Sequence, residues 1–393
     1  MNTTSYSTVR GTLVAGGVSV VGVLPMFLTG GLAVQMAEDL VFGSVGLGLA
    51  VGSFRLAAGI GSPFLGKVAD RIGAIWSLRI AVIVSSLASA AVATLATSWT
   101  TLVACLMLAG SAMAIGQPAA NRLISSSVAP ERMGLAFGFK QSANPSASML
   151  AGFSVPVIAL TFGWRWAFWI AVVLGLVVLL LIPRRRLSRD AATRKRDASS
   201  GDFDRRTIAL FFTAFALAMA VGTSVPTFYV AATVRAGTAE GLAGFFLAAA
   251  SIGAILVRLL SGALCDRMAS GHLRLFMAGL MSGVVGFVLL ATQQPVPMAI
   301  GAVIALGGTW GFNGVFWYAL IRAFPESPGH VTGVLLPGGQ LGGVVGPVLL
   351  GFIVGLTSFT VAWLVTAGLS AVAAYAMMLG ARRLAPPSVI AER

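Results

Sequence analysis

The chain has 393 residues, of which 57% are hydrophobic and 10% are charged, and its mean hydropathy is +0.93. A soluble domain carries roughly 25–35% charged residues on its surface, so this composition excludes an ordinary soluble globular protein. The net charge of +14 could indicate nucleic-acid binding. The basic residues, however, lie between long apolar runs, where membrane proteins carry their orientation signals. We therefore expect a lipid bilayer and no nucleic acid as partner.

Apolar runs of about 20 residues, the length that spans a bilayer as a helix, recur along the chain. Strands of a membrane barrel would be near ten residues long and would alternate in polarity, so the pattern predicts an all-α membrane protein. The first run is too long for a signal peptide and lacks a convincing cleavage site, which indicates an uncleaved first helix. Breaks at charge clusters and Pro/Gly turns predict twelve spans: 11–36, 41–63, 75–97, 100–126, 133–160, 164–183, 207–232, 239–262, 273–292, 296–321, 331–356 and 358–380.

The longest polar gap divides these spans six and six. It holds nine Lys/Arg and four Asp, so we predict two six-helix bundles, 1–183 and 207–393, joined by a basic linker, 184–206. An even number of spans places both termini on one side of the membrane. The linker, the tails and most basic loops share that side, which predicts a plasma-membrane protein with cytoplasmic termini.

A charged motif repeats about half a chain apart. Gly66-Lys67-Val68-Ala69-Asp70-Arg71-Ile72-Gly73 has a weaker copy that starts at Gly262 and includes Asp266 and Arg267, an offset of 196 residues. Ala129-Pro130-Glu131 aligns with Phe324-Pro325-Glu326 at an offset of 195, and Leu160-Thr161 aligns with Leu356-Thr357 at an offset of 196. Three loops in one register indicate two parallel repeats, related by an axis along the membrane normal. We expect both charged motifs to lie in loops.

Over nearly its whole length the sequence resembles the major facilitator superfamily. Gly66, Ala69, Asp70, Arg71 and Gly73 match the family's signature between helices two and three, although Ala74-Ile75 replaces its final Arg-Lys. The resemblance implies a transporter, not an enzyme, that works as a monomer without cofactor or metal. It also implies gating roles for Gly66, Asp70, Arg71 and Gly73 and for Asp266 and Arg267, in which each aspartate pairs with a neighbouring arginine or caps a helix.

A finer resemblance comes from the fifth span. Gly138-Phe139-Lys140-Gln141 with Pro145, followed by Gly163-Trp164-Arg165-Trp166, is similar to the cyanate/nitroimidazole-type branch and related anion carriers. The Arg-x-x-Gln-Gly and Gly-Pro-x-x-Gly-Gly motifs of drug/proton antiporters are absent from the corresponding helices.

The predicted spans contain three bases and no mid-membrane acid. Arg55 lies about 16 Å along a helix from Gly66, near the middle of the bilayer. Such a charge is costly and normally faces a bundle interior or a water-filled cavity. Arg55 could be satisfied by backbone carbonyls, or it could bind an anionic substrate, and we favour the second. Arg258 is only four residues from Gly262, so we expect it to extend toward the cytoplasmic rim.

Lys140 could also extend to the interface. It begins a stripe with Asn144 and Ser148 at i, i+4, i+8 spacing, however, which favours a cavity wall. In the cavity wall, Lys140 would bind substrate with Arg55 and offset its charge, and Asn144 would be a further substrate contact. Both interpretations stay open.

The resemblance implies that helices four, seven and ten line the cavity with helix one. Gln117 and Asn121 share a face of helix four, and Asn313, Trp317 and Trp310 lie on helix ten. These residues are candidates for substrate contact, and interhelical hydrogen bonding or packing is the alternative for each.

These features predict a secondary or facilitative transporter that moves a small, anionic solute by alternating access. The chain lacks an ATP-binding loop, and both histidines, His272 and His330, fall in loops. We therefore expect facilitated exchange, or symport in which the proton is carried by the substrate or another group. The alternatives are an exporter of amphiphilic drugs or metabolites, with Met and Trp side chains as its pocket, and a receptor or scaffold that transports nothing.

Overall fold

The computed structural model describes residues 3–128, 133–183, 204–268, 270–324 and 328–384. Its described residues form helices and no strand, and twelve helices are long and apolar enough to cross a membrane, which confirms the predicted all-α fold. A short helix, Ala33–Leu40, follows the first span. The spanning helices are α1 (Thr3–Gly31), α2 (Ser44–Ile72), α3 (Ala74–Leu95), α4 (Trp99–Ser127), α5 (Met133–Gln141, Ala143–Ser154, Val155–Ala159 and Leu160–Phe162), α6 (Trp164–Leu181), α7 (Arg205–Arg235), α8 (Glu240–Arg267), α9 (His272–Ala291), α10 (Pro295–Leu306, Gly307–Gly311 and Asn313–Ala323), α11 (Pro328–Leu356) and α12 (Phe359–Leu384).

We call the face at which α6 ends and α7 begins the linker face, and the opposite face the far face. Most of the predicted linker, as far as residue 203, lies outside the described residues, as do the Pro130-Glu131 and Pro325-Glu326 loops and the C-terminal tail. Arg205 and Arg206 form the first turn of α7, two residues before its predicted start.

Close contacts between the two halves follow the repeat. At Gly48 on α2, an added Cβ would lie 2.3 Å from the carbonyl oxygen of Pro347 on α11. At Gly244 on α8, it would lie 2.6 Å from the carbonyl oxygen of Gly152 on α5. Gly48 and Gly244 are 196 residues apart, and Gly152 and Pro347 are 195 apart. The two contacts are therefore copies of one another, and we call them the first seam (α2–α11) and the second seam (α5–α8).

A third contact lies where α1 meets α7. An added Cβ at Gly30 would be 2.4 Å from the carbonyl oxygen of Pro226. Pro226 lies 196 residues after Gly30, so the two residues in this contact are equivalent positions of the two repeats. Residues 23–31 of α1 and 220–230 of α7 are buried throughout. This contact and both glycine seams lie toward the far face, so the halves are packed together there.

The charged motifs are helical, and the prediction that they form loops was wrong. α2 continues to Ile72 and includes Gly66 and Asp70, and only Gly73, with φ of +87°, forms the turn. In the second half, Asp266 and Arg267 end α8. Outside the bilayer a helix can continue through polar residues. The positive charge of Arg71 in the last turn of α2 also stabilises the negative C-terminal end of the helix dipole. The helix therefore ends at the glycine and not at the edge of the apolar run.

Helices α5 and α10 were predicted as continuous but contain local breaks. α5 is interrupted at Ser142, three residues before Pro145, and later forms a π turn at Val155–Ala159. α10 forms a π turn at Gly307–Gly311. Proline lacks the N–H that would bond four residues back, and π turns are frequent at functional sites. The break at Ser142 and the π turn at Gly307–Gly311 lie at the candidate site.

Candidate functional site

Arg55 lies in the first seam with its side chain directed at the other half of the molecule. It is 3% exposed, and its Nε and Nη2 groups are buried without a hydrogen-bond partner among the described residues. Its stem lies against Gly343 of α11, where an added Cβ would be 3.4 Å from Cδ of Arg55. The absence of a side chain at residue 343 makes room for the arginine.

Gln340 lies one turn from Gly343 on the same helix. Its Cβ is 3.9 Å from the position of an added Cβ at Gly59, one turn below Arg55 on α2. The Oε1 atom of Gln340 is buried and has no partner among the described residues. The first seam thus combines unpaired donors from one half with an unpaired acceptor from the other.

The second seam is closed by a hydrogen bond at the equivalent level. Ser251 donates to the hydroxyl of Ser148 over 2.8 Å, and both side chains are buried. Ser251 is the repeat equivalent of Arg55, 196 residues on, and Ser148 is 195 residues from Gly343. Arg55 therefore occupies the place that a serine fills in the other copy.

Lys140 and Gln117 are brought together. Lys140 is 4% exposed, and its ammonium group donates to Oε1 of Gln117 on α4. Lys140 does not extend to the interface. Asn144, next in the predicted stripe, is half-buried, and Ser148 belongs to the second seam.

Arg258 ties the two halves together, so the prediction that it extends to the rim was wrong. Its guanidinium donates to the backbone oxygen of Gln141 on α5, and Nη2 donates to the backbone oxygen of Trp310 on α10 at 2.5 Å. Pro145 has no N–H to offer the carbonyl four residues before it. That carbonyl belongs to Gln141 and is thus available to the arginine.

Trp310 lies at the centre of the bundle. It is 2% exposed, and its ring meets that of Phe27 on α1 edge to face, with centroids 5.6 Å apart. Its Nε1 is buried without a partner among the described residues. The close approach of this ring requires a glycine on α7, because a Cβ at Gly222 would be 2.7 Å from Nε1.

The remaining candidates are more dispersed. Asn313 is half-buried and donates to the sulfur of Met219 at 3.3 Å. Trp317 packs in an aromatic group of the second half, with its centroid 4.9 Å from that of Phe215. Asn121 is exposed. The structure does not bring these three residues into contact with Arg55.

Of the predicted gating residues, Asp70 has a defined partner, but not the expected one. It forms an ion pair with Arg122 on α4, which also donates to the backbone oxygen of Ala69 at 3.3 Å. Arg71, the predicted partner, is exposed. The pair joins two helices of the same half on the linker face. An added Cβ at Gly66 would meet nothing within 4 Å, and nothing is described for the side chain of Asp266.

Sequence reasoning missed the roles of Arg258, Gln340 and Gly343. A signal for Arg258 was present, since Pro145 marks the carbonyl of Gln141 as free for another donor. No local pattern marks Gly343 or Gln340, because the residues that they contact lie on α2, 280 or more residues away in the sequence. Among the described residues, no group of His, Cys, Asp and Glu could hold a metal ion.

Twelve spanning helices in two copies, with polar side chains buried where the copies meet, define a membrane transporter of the alternating-access type. The chain belongs to the Major Facilitator Superfamily, whose family model matches residues 15–347. It is therefore an integral membrane protein that moves small solutes and is not an enzyme.

Two curated relatives cover most of the chain. It is 29% identical over 367 residues to a probable nitrate/nitrite transporter of Mycobacterium tuberculosis, covering 86% of this chain and 87% of the relative. It is 27% identical over 376 residues to a hexuronate transporter of Bacillus subtilis, covering 87% of each.

Solved structures share the fold at low sequence identity. A D-xylose-proton symporter superposes with a TM-score of 0.76 at 16% identity, covering 94% of this chain and 96% of that one. A bacterial homologue of the lysosomal transporter Spinster, inward-facing and occupied, gives a TM-score of 0.73 at 17% identity, covering 96% and 97%.

Proposed function

We propose that the solute is a small anion and that Arg55 binds it in the first seam. The observation that carries this proposal is the pair of buried donors, Nε and Nη2, that have no partner among the described residues. An uncompensated buried charge costs several kcal/mol, so it persists only where something else offsets it. An anion that enters the seam from water would offset it.

The described charges near the membrane centre favour the cargo as that partner. Carboxylates of described residues lie at helix ends or outside the spans, and Asp70 is already paired with Arg122. Arg258 is bonded to two backbone oxygens and Lys140 to Gln117. Arg258 leaves Nε without a described partner, whereas Arg55 leaves both Nε and Nη2 and has no described hydrogen bond that offsets its charge.

The geometry of arginine defines the chemical class. A guanidinium presents parallel N–H groups that match two oxygens of one planar anion. Nitrate, nitrite and carboxylates all offer such a pair. The two relatives are named for nitrate/nitrite and hexuronate, which are anions of this kind.

Orientation follows from the basic residues. The described linker-face positions include twelve Lys/Arg: Arg10, Lys67, Arg71, Arg79, Arg122, Arg205, Arg206, Arg267, Arg274, Arg322, Arg382 and Arg383. On the far face the described residues include Arg165 and Arg235. The positive-inside rule makes the linker face cytoplasmic, in a plasma membrane, with residues 1–183 and 207–393 as the moving halves. The far-face packing then corresponds to an inward-facing state.

Around this anion, Gln340 is the residue of the second half that orients it, with Gln117, Asn144, Asn121, Asn313, Trp310 and Trp317 lining the path. On the cytoplasmic face, Asp70 with Arg122 holds α2 against α4 when the halves rock, and Gly66, Gly73, Asp266 and Arg267 belong to the same gate.

Exchange in proteoliposomes tests the proposal. Vesicles loaded with unlabelled nitrate, nitrite or glucuronate should take up the labelled anion through the wild type, and the Arg55→Ala variant should not. A lipophilic cation serves as the competing cargo. Efflux of that cation by both proteins, without anion exchange by either, would contradict the proposal and favour the exporter of amphiphilic compounds.

A further inference from the structure

Lys140 differs from the other buried cations in its chemistry. Within the described spans, Arg55, Lys140 and Arg258 are the bases that lie away from helix ends. An arginine keeps its charge under all physiological conditions, whereas a buried lysine can lose its proton. Tyr229 and Cys105 are also buried in spans, but either would have to become an anion in hydrocarbon to titrate. Lys140 is thus the group that can change charge at low cost.

The local contacts of Lys140 suit both protonation states. Its Nζ donates to Oε1 of Gln117, and a neutral amine still has N–H groups that can donate this bond, although more weakly than an ammonium. Loss of the proton therefore leaves no buried acceptor without a donor. Arg258 is bonded to the backbone of Gln141, the next residue along the chain, so a second positive charge is held close by.

No described carboxylate lies at the membrane depth of Lys140, where it could neutralise the charge of the ammonium group. The segment Met133–Gln141 packs against α1, α4 and α8. The acids on these helices, Glu240 and Asp266, lie in the first and last turns of α8. The charged and titratable groups on the three helices are Tyr6 and Arg10, Cys105 and Arg122, and Glu240, Arg258, Cys265, Asp266 and Arg267.

We propose that Lys140 carries one proton across the membrane together with each anion. This inference rests on the proposed function, since the anion is what favours the charged amine. When the anion enters the seam, the amine takes up a proton from the same side, and both leave on the other side. The N–H bond is the one that forms and breaks, and the empty carrier returns with a neutral amine.

A charge count makes the proposal specific. With a monovalent anion bound, three cations and one anion leave two positive charges in the membrane interior, from Arg55, Lys140 and Arg258. The empty carrier with a neutral Lys140 also has two. Loaded and empty carriers therefore move the same charge, so the cycle is electroneutral. A pH gradient should drive accumulation and a membrane potential should not.

The test uses proteoliposomes and labelled nitrate, nitrite and glucuronate in three conditions: exchange at equal pH, uptake with an alkaline lumen, and uptake with a potassium diffusion potential. The wild type should accumulate an exchanged anion up to about tenfold for each pH unit, the limit for one proton per anion. The diffusion potential should add nothing.

Two variants remove the exchangeable proton in different ways. Lys140→Arg holds a permanent charge and Lys140→Met holds none, and in both we expect exchange above the empty-liposome background with loss of pH-driven accumulation. Lys67→Met, an exposed lysine of α2, is the matched control and should accumulate as the wild type does.

The possible results separate the two proposals. Accumulation by either Lys140 variant at the wild-type level, or uptake driven by the potential, would overturn the coupling role while the anion site stands. Failure of the wild type to exchange any of the three anions would contradict the proposed function, and the coupling role with it.

Discussion

The two seams between the halves share their packing and differ in chemistry. In each, a glycine near the far face approaches a backbone oxygen of the facing helix, at Gly48 and at Gly244. One to two turns deeper, Ser251 and Ser148 close the second seam with a neutral hydrogen bond. In the first seam the equivalent places hold Arg55, with unpaired donors, and Gly343, which gives it room.

The glycine contacts are the same in both repeats, whereas the residue one to two turns deeper differs between them. The glycines allow the helices to approach closely. Any larger residue at Gly48 or Gly244 would place its Cβ against a backbone oxygen of the facing helix. The deeper position holds a serine in one seam and an arginine in the other, and the residue that faces it is Ser148 or Gly343 accordingly. The proposed anion site therefore belongs to one seam, whereas the glycine packing is common to both.

Removal of the charge from the first seam should have the largest effect. In Arg55→Leu we expect anion transport to fall about 100-fold or more, because loss of one member of a buried charge pair typically costs 2–5 kcal/mol. The control is Ser251→Ala at the equivalent place, which loses one neutral hydrogen bond and about 1 kcal/mol of stability. Initial rates of exchange in proteoliposomes measure both.

The same variant should gain stability without anion. Arg55→Leu removes a buried charge whose donors have no described partner, so its melting temperature in detergent should rise above that of the wild type. A fall in melting temperature together with lost transport would mean that Arg55 holds the fold and not the solute.

A bulky side chain should open the shared part of the seams. A Cβ at Gly48 would lie 2.3 Å from a backbone oxygen, so Gly48→Leu disfavours far-face packing by about 1–3 kcal/mol. A cysteine at Thr29, buried at the far end of α1, should then react faster with an impermeant maleimide when Cys105 and Cys265 are replaced by alanine. The control is Gly368→Leu, where an added Cβ meets nothing within 4 Å. Equal labelling of both variants would contradict the role of the seam.

Loss of the hydrogen bonds that Arg258 makes between the two halves should slow transport less than loss of Arg55, and a second substitution should partly restore the rate. Arg258→Gln replaces the guanidinium that bonds Gln141 and Trp310 by a shorter, neutral amide. We expect exchange to slow about tenfold, since a charged hydrogen bond is worth about 1.5–3 kcal/mol. Pro145→Ala restores an N–H for the carbonyl of Gln141, so the double variant should recover part of the rate. Ser62→Ala, at the equivalent place in the first half, should change little. No recovery in the double variant would refute the role assigned to the proline.

The smallest effect should appear on the far face with pH. Hydrogen bonds from Trp164 and then Arg165 lower the pKa of Asp39, so this carboxylate stabilises the fold above its unfolded pKa. Its contribution should be lost as pH falls through the lowered value. Melting curves of wild type and Asp39→Asn should therefore differ at neutral pH and converge in acid, and a constant difference would count against the contact.

Much of the fold could be predicted because lipid imposes simple rules on sequence. Span length, the gap after residue 183 and the 196-residue offset predicted twelve helices in two copies. The ends of α2 and α8 were misplaced, since hydropathy reports where lipid ends and not where a helix ends. The burial of Arg55 between the halves could be predicted because a charge in an apolar run is conspicuous, and its role as an anion site stays a prediction.

The rest of the site could not be predicted from one helix at a time. Arg258 has the same sequence signature whether it extends to the rim or bonds to Gln141 and Trp310, and the facing backbone decides between these. Gly343 resembles any other glycine of a glycine-rich helix until Arg55 lies against it. Prediction of such residues requires knowledge of which residues of α11 face which residues of α2. The repeat does not provide this residue-by-residue alignment.

The most direct measurement is the shift in melting temperature that nitrate, nitrite and glucuronate cause in purified wild type, Arg55→Leu and Ser251→Ala, with chloride as reference. At about 100 times its dissociation constant a bound anion adds about 2.7 kcal/mol to stability. We predict a shift of several degrees for at least one anion in the wild type and in Ser251→Ala, and none in Arg55→Leu. An equal shift in Arg55→Leu would contradict the assignment of the anion to the first seam.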